Sequence, residues 1–161
     1  MSDTLQLPQP TWFVGCGNMG GAILDGWRLG GIDLSAVTVI RPSGMPVEGT
    51  RTVMSLDGAG AAPKLVVLAF KPQKLDEVAP ELRQHLSAKT VVVSLFAGVE
   101  AASLRERFPG AAAIVRVMPN LPVSVRRGVT ALFSPDADER TQVELNNLFS
   151  ALGFAMWMAD E

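Results

Sequence analysis

A glycine-rich turn between an apolar run and a helical segment constrains this chain more than any other feature. Residues 11–14 form a compact apolar run, residues 15–20 follow the pattern G-x-G-x-x-G, and residues 19–29 carry apolar side chains at helical spacing. Strand, turn and helix in this order begin a dinucleotide-binding unit, in which the free N–H groups of the helix N-terminus face phosphates. The alternative is a tight turn that holds no ligand.

Each glycine of the pattern has a physical reason for its place. Gly15 is expected to allow the tight turn, and Gly17 to let the backbone approach a pyrophosphate without a Cβ atom in the way. Gly20 is expected to let the helix and the strand pack closely.

Strand and helix patterns alternate along the rest of the chain. Continuous apolar runs such as residues 91–93 indicate strands of a parallel sheet covered on both faces. The region 45–63 is interrupted by glycine and proline, so we expect a short connection there with at most a short strand at 50–54. The remaining strands are predicted at 11–14, 37–40, 64–70, 91–95, 113–117, 129–133 and 154–158, and the helices at 19–29, 73–86, 101–108 and 138–151. The pattern predicts an α/β fold, a Rossmann-type doubly wound, mainly parallel sheet with helices on both faces.

Length and charge limit the organisation and the partners. The 161 residues, of which 48% are apolar, suit one domain, which we assign to residues 12–161 after a leader at 1–11. The net charge is −2 and no Lys/Arg block occurs, so we expect a small-molecule partner and neither nucleic acid nor a membrane. Cys16 is the only cysteine, which suits a cytoplasmic protein, and no metal site is expected with His85 as the only histidine.

The end of the second predicted strand indicates which dinucleotide is bound. Sites for NAD usually place Asp or Glu there, about 20 residues beyond the glycines, to hold the ribose 2′-hydroxyl. This chain has Arg41 and Ser43 instead, which can bind a 2′-phosphate. The pattern favours NADP(H), and the alternative is that Arg41 is only a solvated loop cation.

Four segments, of which the first contains the glycine turn, appear in an order that is typical of one family. They are residues 13–20 (FVGCGNMG), 68–73 (LAFKPQ), 94–99 (SLFAGV) and 116–122 (RVMPNLP). Together they resemble the pyrroline-5-carboxylate reductases, and the similarity runs from residue 12 to nearly the end of the chain. The sequence departs from that family at Leu121, where threonine is usual, at residues 95–96, where smaller side chains are usual, and at Leu56, where asparagine is frequent.

The resemblance implies hydride transfer from NADPH to the C=N carbon of L-1-pyrroline-5-carboxylate, which gives L-proline. The cofactor-binding residues that the motifs and the resemblance indicate are Gly15, Cys16, Gly17, Asn18, Met19, Gly20, Arg41, Ser43, Ala69, Lys71, Pro72, Ala97 and Asn120. Lys71 and Asn120 are also candidates for catalysis. For Lys71 a role in binding the cofactor is favoured over proton donation, and for Cys16 a contact through its backbone N–H is favoured over a reactive thiolate.

The resemblance also implies a C-terminal helical domain that binds substrate and forms a homo-oligomer, and these 161 residues contain no such domain. We therefore expect the chain alone to be weakly active or inactive. Two alternatives are an NADP(H)-binding module without catalysis and the cofactor domain of a β-hydroxyacid dehydrogenase or another imine reductase. Residues 116–120 speak against the second alternative, because those families lack this segment.

Overall fold

The computed structural model describes residues 5–161, which form one eight-stranded sheet with helices on both faces. The strands are β1 (Thr11–Val14), β2 (Val37–Ile40), β3 (Arg51–Val53), β4 (Leu65–Leu68), β5 (Val91–Ser94), β6 (Ala113–Met118), β7 (Gly128–Phe133) and β8 (Gly153–Trp157). The helices are α1 (Asn18–Leu29), α2 (Leu75–His85), α3 (Ala101–Arg107) and α4 (Glu139–Ser150). Short 3₁₀ turns lie at Leu34–Ala36, Leu56–Gly58, Pro72–Lys74 and Leu121–Val125.

The strand order confirms the doubly wound prediction. The order across the sheet is β3-β2-β1-β4-β5-β6-β7-β8, and the neighbours from β3 to β6 are all parallel. The chain moves one way from β1 to β3 and the other way from β4 to β6, so the order reverses between β1 and β4. At the end of the sheet, β7 runs antiparallel to β6 and β8 runs parallel to β7. A ligand crevice is expected where the order reverses, at the carboxyl ends of β1 and β4.

Two hydrophobic clusters, one on each face of the sheet, hold the layers together. Helices α1 and α4 pack on one face, where the fully buried Trp27 of α1 donates its indole N–H to the Leu148 carbonyl of α4 at 2.8 Å. Helices α2 and α3 pack on the other face through side chains such as Leu82 and Leu104. β1, β2 and β4 are covered on both faces and buried along their whole length, and their residues are apolar except for Thr11 and Thr38.

Two features of the structure were not predicted. Leu7, which the prediction places in the leader, is only 6% exposed and belongs to the hydrophobic core. Residues 1–4 of the predicted leader lie outside the described part of the chain. The segment Leu121–Val125, for which no element was predicted, forms a 3₁₀ turn that packs on α1. The short connection predicted for 45–63 is confirmed, with β3 and one 3₁₀ turn as its regular structure. Within residues 5–161, no helix combines the length and the apolar character that a membrane crossing requires.

Candidate functional site

A cavity of about 1020 Å³ opens at the carboxyl edge of the sheet, where the strand order reverses. Its floor is the glycine turn between β1 and α1. The loop after β2 and the segment after β3 form one side, and the ends of β4 and β5 form the other. One face of α2 also lines the cavity. The residues that line it are Val14, Gly15, Cys16, Gly17, Asn18, Met19, Gly20, Ile40, Arg41, Pro42, Ser43, Met54, Ser55, Leu56, Ala69, Phe70, Lys71, Pro72, Lys74, Glu77, Val78, Glu81, Leu95, Phe96 and Ala97.

The glycine turn is closed against the end of β4. Gly15 has a φ of +81°, and a Cβ atom built on it would lie 2.9 Å from the Ala69 carbonyl oxygen and from the Phe70 backbone nitrogen. A Cβ atom on Gly20 would lie 2.9 Å from the Ala69 Cβ. The backbone N–H of Gly17 donates to the Ala69 carbonyl at 3.2 Å. Both the left-handed conformation at Gly15 and the close packing at Gly20 therefore require glycine.

The N-terminus of α1 points its unpaired backbone donors into this cavity. Gly17 is the N-cap residue and supplies no side-chain hydrogen bond, and the first turn of α1 contains no acidic residue. The residues of that turn, Asn18, Met19 and Gly20, line the cavity. Because the first N–H groups of a helix lack intrahelical acceptors and carry the positive end of the helix dipole, this end suits a phosphate.

Arg41 and Ser43 lie in the same cavity, on the side of β2. The Arg41 backbone N–H donates to the Val53 carbonyl at 2.9 Å, which ties the end of β2 to β3. The Arg41 guanidinium has one long contact, 3.5 Å from Nη1 to the Met45 carbonyl, and the Ser43 hydroxyl accepts from the Met45 N–H at 3.2 Å. The guanidinium therefore keeps most of its donors for a ligand.

Cys16 lines the cavity as a thiol. Burial raises its pKa, and the nearby positive charge of Arg41 opposes that rise without overcoming it. Burial has the largest effect on the pKa of this thiol, and it acts against the thiolate form. The structure thus gives no support to a reactive Cys16.

The ends of β4 and β5 place four predicted residues together. Ala69, Lys71, Pro72 and Ala97 all line the cavity, and the Lys71 side chain is exposed at its rim. Beneath them the rings of Phe70 and Phe96 meet edge to face, with centroids 5.1 Å apart. Phe96 is buried, and both rings also form part of the cavity wall.

Asn120 follows β6, and its place in the cofactor site stays a prediction. It does not line the cavity, and its side-chain oxygen accepts a hydrogen bond from the Val129 N–H at 2.8 Å. This bond fixes the start of β7 after the Leu121–Val125 turn. The Asn120 side-chain oxygen therefore has a structural role, because it holds two chain segments together.

One face of α2 belongs to the site, although no residue of it was predicted. Glu77, Val78 and Glu81, with Lys74 just before the helix, line the cavity. Their spacing of three, one and three residues is that of one helical face, which is the signal that could have found them. A helix face that only faces solvent shows the same spacing, so the sequence alone did not distinguish it from a face that borders a cavity.

A group of three side chains from α2 and from the turn Leu56–Gly58 was also not predicted. Ligating atoms of Asp57, Glu81 and His85 lie within 4.8 Å of one another, and His85 Nε2 is 3.7 Å from an Asp57 carboxylate oxygen. Asp57 and Glu81 are exposed. The His85 ring packs at 6.2 Å from that of the buried Trp12, which holds it at the end of α2.

Sequence comparison relates the chain to named oxidoreductases. The model of the family described as NADP oxidoreductase, coenzyme F420-dependent, matches residues 12–98. A pyrroline-5-carboxylate reductase of Pseudomonas aeruginosa is 30% identical in an alignment of 156 positions that covers 92% of this chain and 57% of that protein. One of Pasteurella multocida is 32% identical in an alignment of 163 positions that covers 92% of this chain and 58% of that protein.

Solved structures agree with these relatives. A pyrroline-5-carboxylate reductase from Coxiella burnetii superposes with a TM-score of 0.86 at 31% identity, over 96% of this chain and 60% of that one. A Plasmodium falciparum pyrroline carboxylate reductase with NADP bound has a TM-score of 0.85 at 21% identity, over 98% of this chain and 60% of that one. This second likeness concerns the fold alone. The chain thus spans about three fifths of the length of these relatives.

Proposed function

The chain belongs to the family of NADP oxidoreductases described as coenzyme F420-dependent, and we propose that it is the NADP(H)-binding domain of a pyrroline-5-carboxylate reductase. The proposed reaction is the NADPH-dependent reduction of L-1-pyrroline-5-carboxylate to L-proline, the last step of proline biosynthesis. The names of the relatives from Pseudomonas aeruginosa, Pasteurella multocida and Coxiella burnetii support this choice of substrate.

One observation carries the proposal: the uncapped N-terminus of α1 and the Arg41 guanidinium open into a single cavity at the point where the strand order reverses. The first suits a pyrophosphate, and the second suits a phosphate on the adenosine ribose. NADP(H) contains both the pyrophosphate and the phosphate on the adenosine ribose, whereas NAD(H) lacks the ribose phosphate. A cofactor of this kind therefore fits the donors that the chain presents.

The preference for NADP(H) over NAD(H) rests on Arg41 and Ser43. A planar guanidinium can form two parallel hydrogen bonds with a phosphate, and the Ser43 hydroxyl can donate a third. A carboxylate at the end of β2 would repel the 2′-phosphate, and this chain has none at residues 40–43. We propose that these two side chains bind the 2′-phosphate.

The residues at the ends of β4 and β5 are proposed to hold the reactive half of the cofactor. When bound, NADPH supplies a hydride, which the imine carbon accepts, and a proton on the imine nitrogen completes the amine. Ala69, Pro72 and Ala97 offer small or rigid surfaces against which the ribose and nicotinamide can pack. Lys71 supplies a cation and hydrogen-bond donors at the rim, and we propose that it binds the cofactor.

The sheet end formed by β7 and β8 suits a protein contact. Val129 and Phe154 are paired across the two strands and are 50% and 62% exposed, and Met156 on the same face is 42% exposed. An exposed apolar group of this kind is typical of an interface. We propose that the whole protein is a homo-oligomer, and that it works in the cytoplasm, where the free Cys16 stays reduced.

The activity is tested by following NADPH oxidation in the presence of L-1-pyrroline-5-carboxylate, with the chain expressed together with everything that its reading frame encodes. We expect oxidation that depends on this substrate and no oxidation with β-hydroxyacid-derived ketones. A Lys71→Gln variant should raise the KM for NADPH and leave kcat nearly unchanged. Oxidation with the ketones and not with the imine would contradict the proposed substrate.

A further inference from the structure

Two carboxylates in a cavity for a polyanion require an explanation. Glu77 and Glu81 line the same cavity as Arg41, Lys71 and the N-terminus of α1. If the cavity binds NADP(H), as proposed above, each carboxylate repels the phosphates. Carboxylates are compatible with such a site where the ligand presents a hydrogen-bond donor and no negative charge.

Glu81 lies at the adenosine end of the cavity. Its carboxylate is within 4.8 Å of ligating atoms of Asp57 and His85, and Asp57 follows directly on Leu56, which lines the cavity on the side of β3. Arg41, the proposed ligand of the adenosine 2′-phosphate, lies on that side as well, because β2 and β3 are neighbours. The nicotinamide side is the opposite one, at the end of β5, where Ala97 lies.

Within the described residues, the Glu81 carboxylate has no hydrogen-bonding or ion-pair partner in this position. Among residues 5–161, Asp57 is the partner of His85 at 3.7 Å, whereas Glu81 forms neither an ion pair nor a side-chain hydrogen bond. Val78, half-buried one turn earlier on the same helix face, and the buried Leu56 provide apolar surface beside it. Apolar surface with one hydrogen-bond acceptor at its edge is what an aromatic base with an exocyclic amine requires.

We propose that Glu81 accepts a hydrogen bond from the 6-amino group of the cofactor adenine, and so makes the site selective for adenine over hypoxanthine dinucleotides. The amino group carries the only hydrogen-bond donors of the adenine ring in the cofactor. In hypoxanthine a carbonyl oxygen replaces it, and this oxygen would face the carboxylate with like partial charge. The inference rests on the proposed binding of NADP(H).

The test is calorimetric titration of the chain with NADPH and with its 6-deamino analogue, which carries hypoxanthine. We expect the wild-type chain to bind NADPH about tenfold more tightly than the 6-deamino analogue. This is the lower end of what a hydrogen bond to a charged acceptor contributes, as suits an exposed carboxylate. In Glu81→Gln the ratio should fall to about twofold or less, because an amide can donate to the hypoxanthine carbonyl as well as accept from the amine. Glu81→Ala, which offers neither group, should also lose the selectivity.

Glu77→Gln is the matched control. It removes the same charge from the same helix face one turn away, so the affinities for both nucleotides should rise together and their ratio should stay at the wild-type value. NADPH binding with an unchanged ratio in both Glu81 variants would overturn the role of Glu81 and leave the proposed function intact. A wild-type chain that binds neither nucleotide would overturn the proposed function and this inference with it.

Discussion

Substitution of Gly15 by alanine is expected to destabilise the domain and to abolish the phosphate site. At a φ of +81° an alanine loses about 1–2 kcal/mol relative to glycine. Its Cβ atom would also lie 2.9 Å from the Ala69 carbonyl oxygen, the Phe70 nitrogen and the Phe70 Cβ, and two of these atoms belong to the backbone of a buried strand end. Such overpacking adds about 1–3 kcal/mol. The total loss is therefore about 2–5 kcal/mol of the free energy of unfolding.

Gly21→Ala provides the control, since it adds the same methyl group six residues later. Gly21 is helical, and a Cβ atom there would meet only the Cys16 sulfur, at an ordinary 3.9 Å. Alanine is favoured over glycine inside a helix, so this variant should gain about 0.5–1 kcal/mol. Urea denaturation of both variants, followed by circular dichroism, measures the difference. Equal stability of the Gly15→Ala and Gly21→Ala variants would refute the steric reasoning.

Two further substitutions test contacts away from the glycine turn. Glu161→Ala should remove about 2–3 kcal/mol of stability, because Arg116, whose side chain is 9% exposed, loses its 2.9 Å carboxylate partner. Burial raises the pKa of Glu161, but the hydrogen bonds from the Ala101 N–H and from Arg116 outweigh it and hold that pKa below its usual value. The contribution of Glu161 is therefore complete above the ordinary pKa of a glutamate and disappears as the pH falls through the lowered pKa. Acid denaturation of wild type and variant should converge there, and a constant difference down to low pH would contradict this. Asn120→Ala should lower the free energy of unfolding by about 1 kcal/mol through the lost hydrogen bond to Val129, which a thermal melt measures. An NADPH titration of the same variant tests a role in binding, and an unchanged Kd would exclude Asn120 from the cofactor site.

Much of the sheet was predictable from the sequence because parallel strands bury both faces. β1 and β2 were predicted with the bounds that the structure gives, and β4 and β5 lie within the predicted ranges. The turn Leu121–Val125 was not predicted, because its conformation depends on a contact distant in the sequence. A Cβ atom on Gly26 of α1 would lie 2.1 Å from the Val123 carbonyl oxygen, so the turn and the helix fit each other, and local spacing does not reveal such a match.

The site was predictable where a residue type has a local reason. The glycines and Arg41 follow from strand–turn–helix order, whereas the family resemblance indicated the residues that end β4 and β5. All of them lie at one edge because parallel strands bring their carboxyl ends together. The face of α2 was not predictable, because a polar helix face that borders a cavity has the same spacing as one that faces water. The place of Asn120 in the site stays a prediction: the residue follows β6 at the same edge of the sheet, and its side-chain oxygen accepts from the Val129 N–H.

The most direct test of the central claim is calorimetric titration of this chain with NADPH and NADH, repeated for Arg41→Asp and for the control Arg127→Asp, an exposed position outside the cavity. We expect NADPH to bind more tightly than NADH by at least about tenfold, as a charge-assisted phosphate contact provides. Arg41→Asp should abolish that preference, and Arg127→Asp should retain it. Equal affinities for the two nucleotides in the wild-type chain, or no binding of either, would contradict the assignment of this cavity to NADP(H).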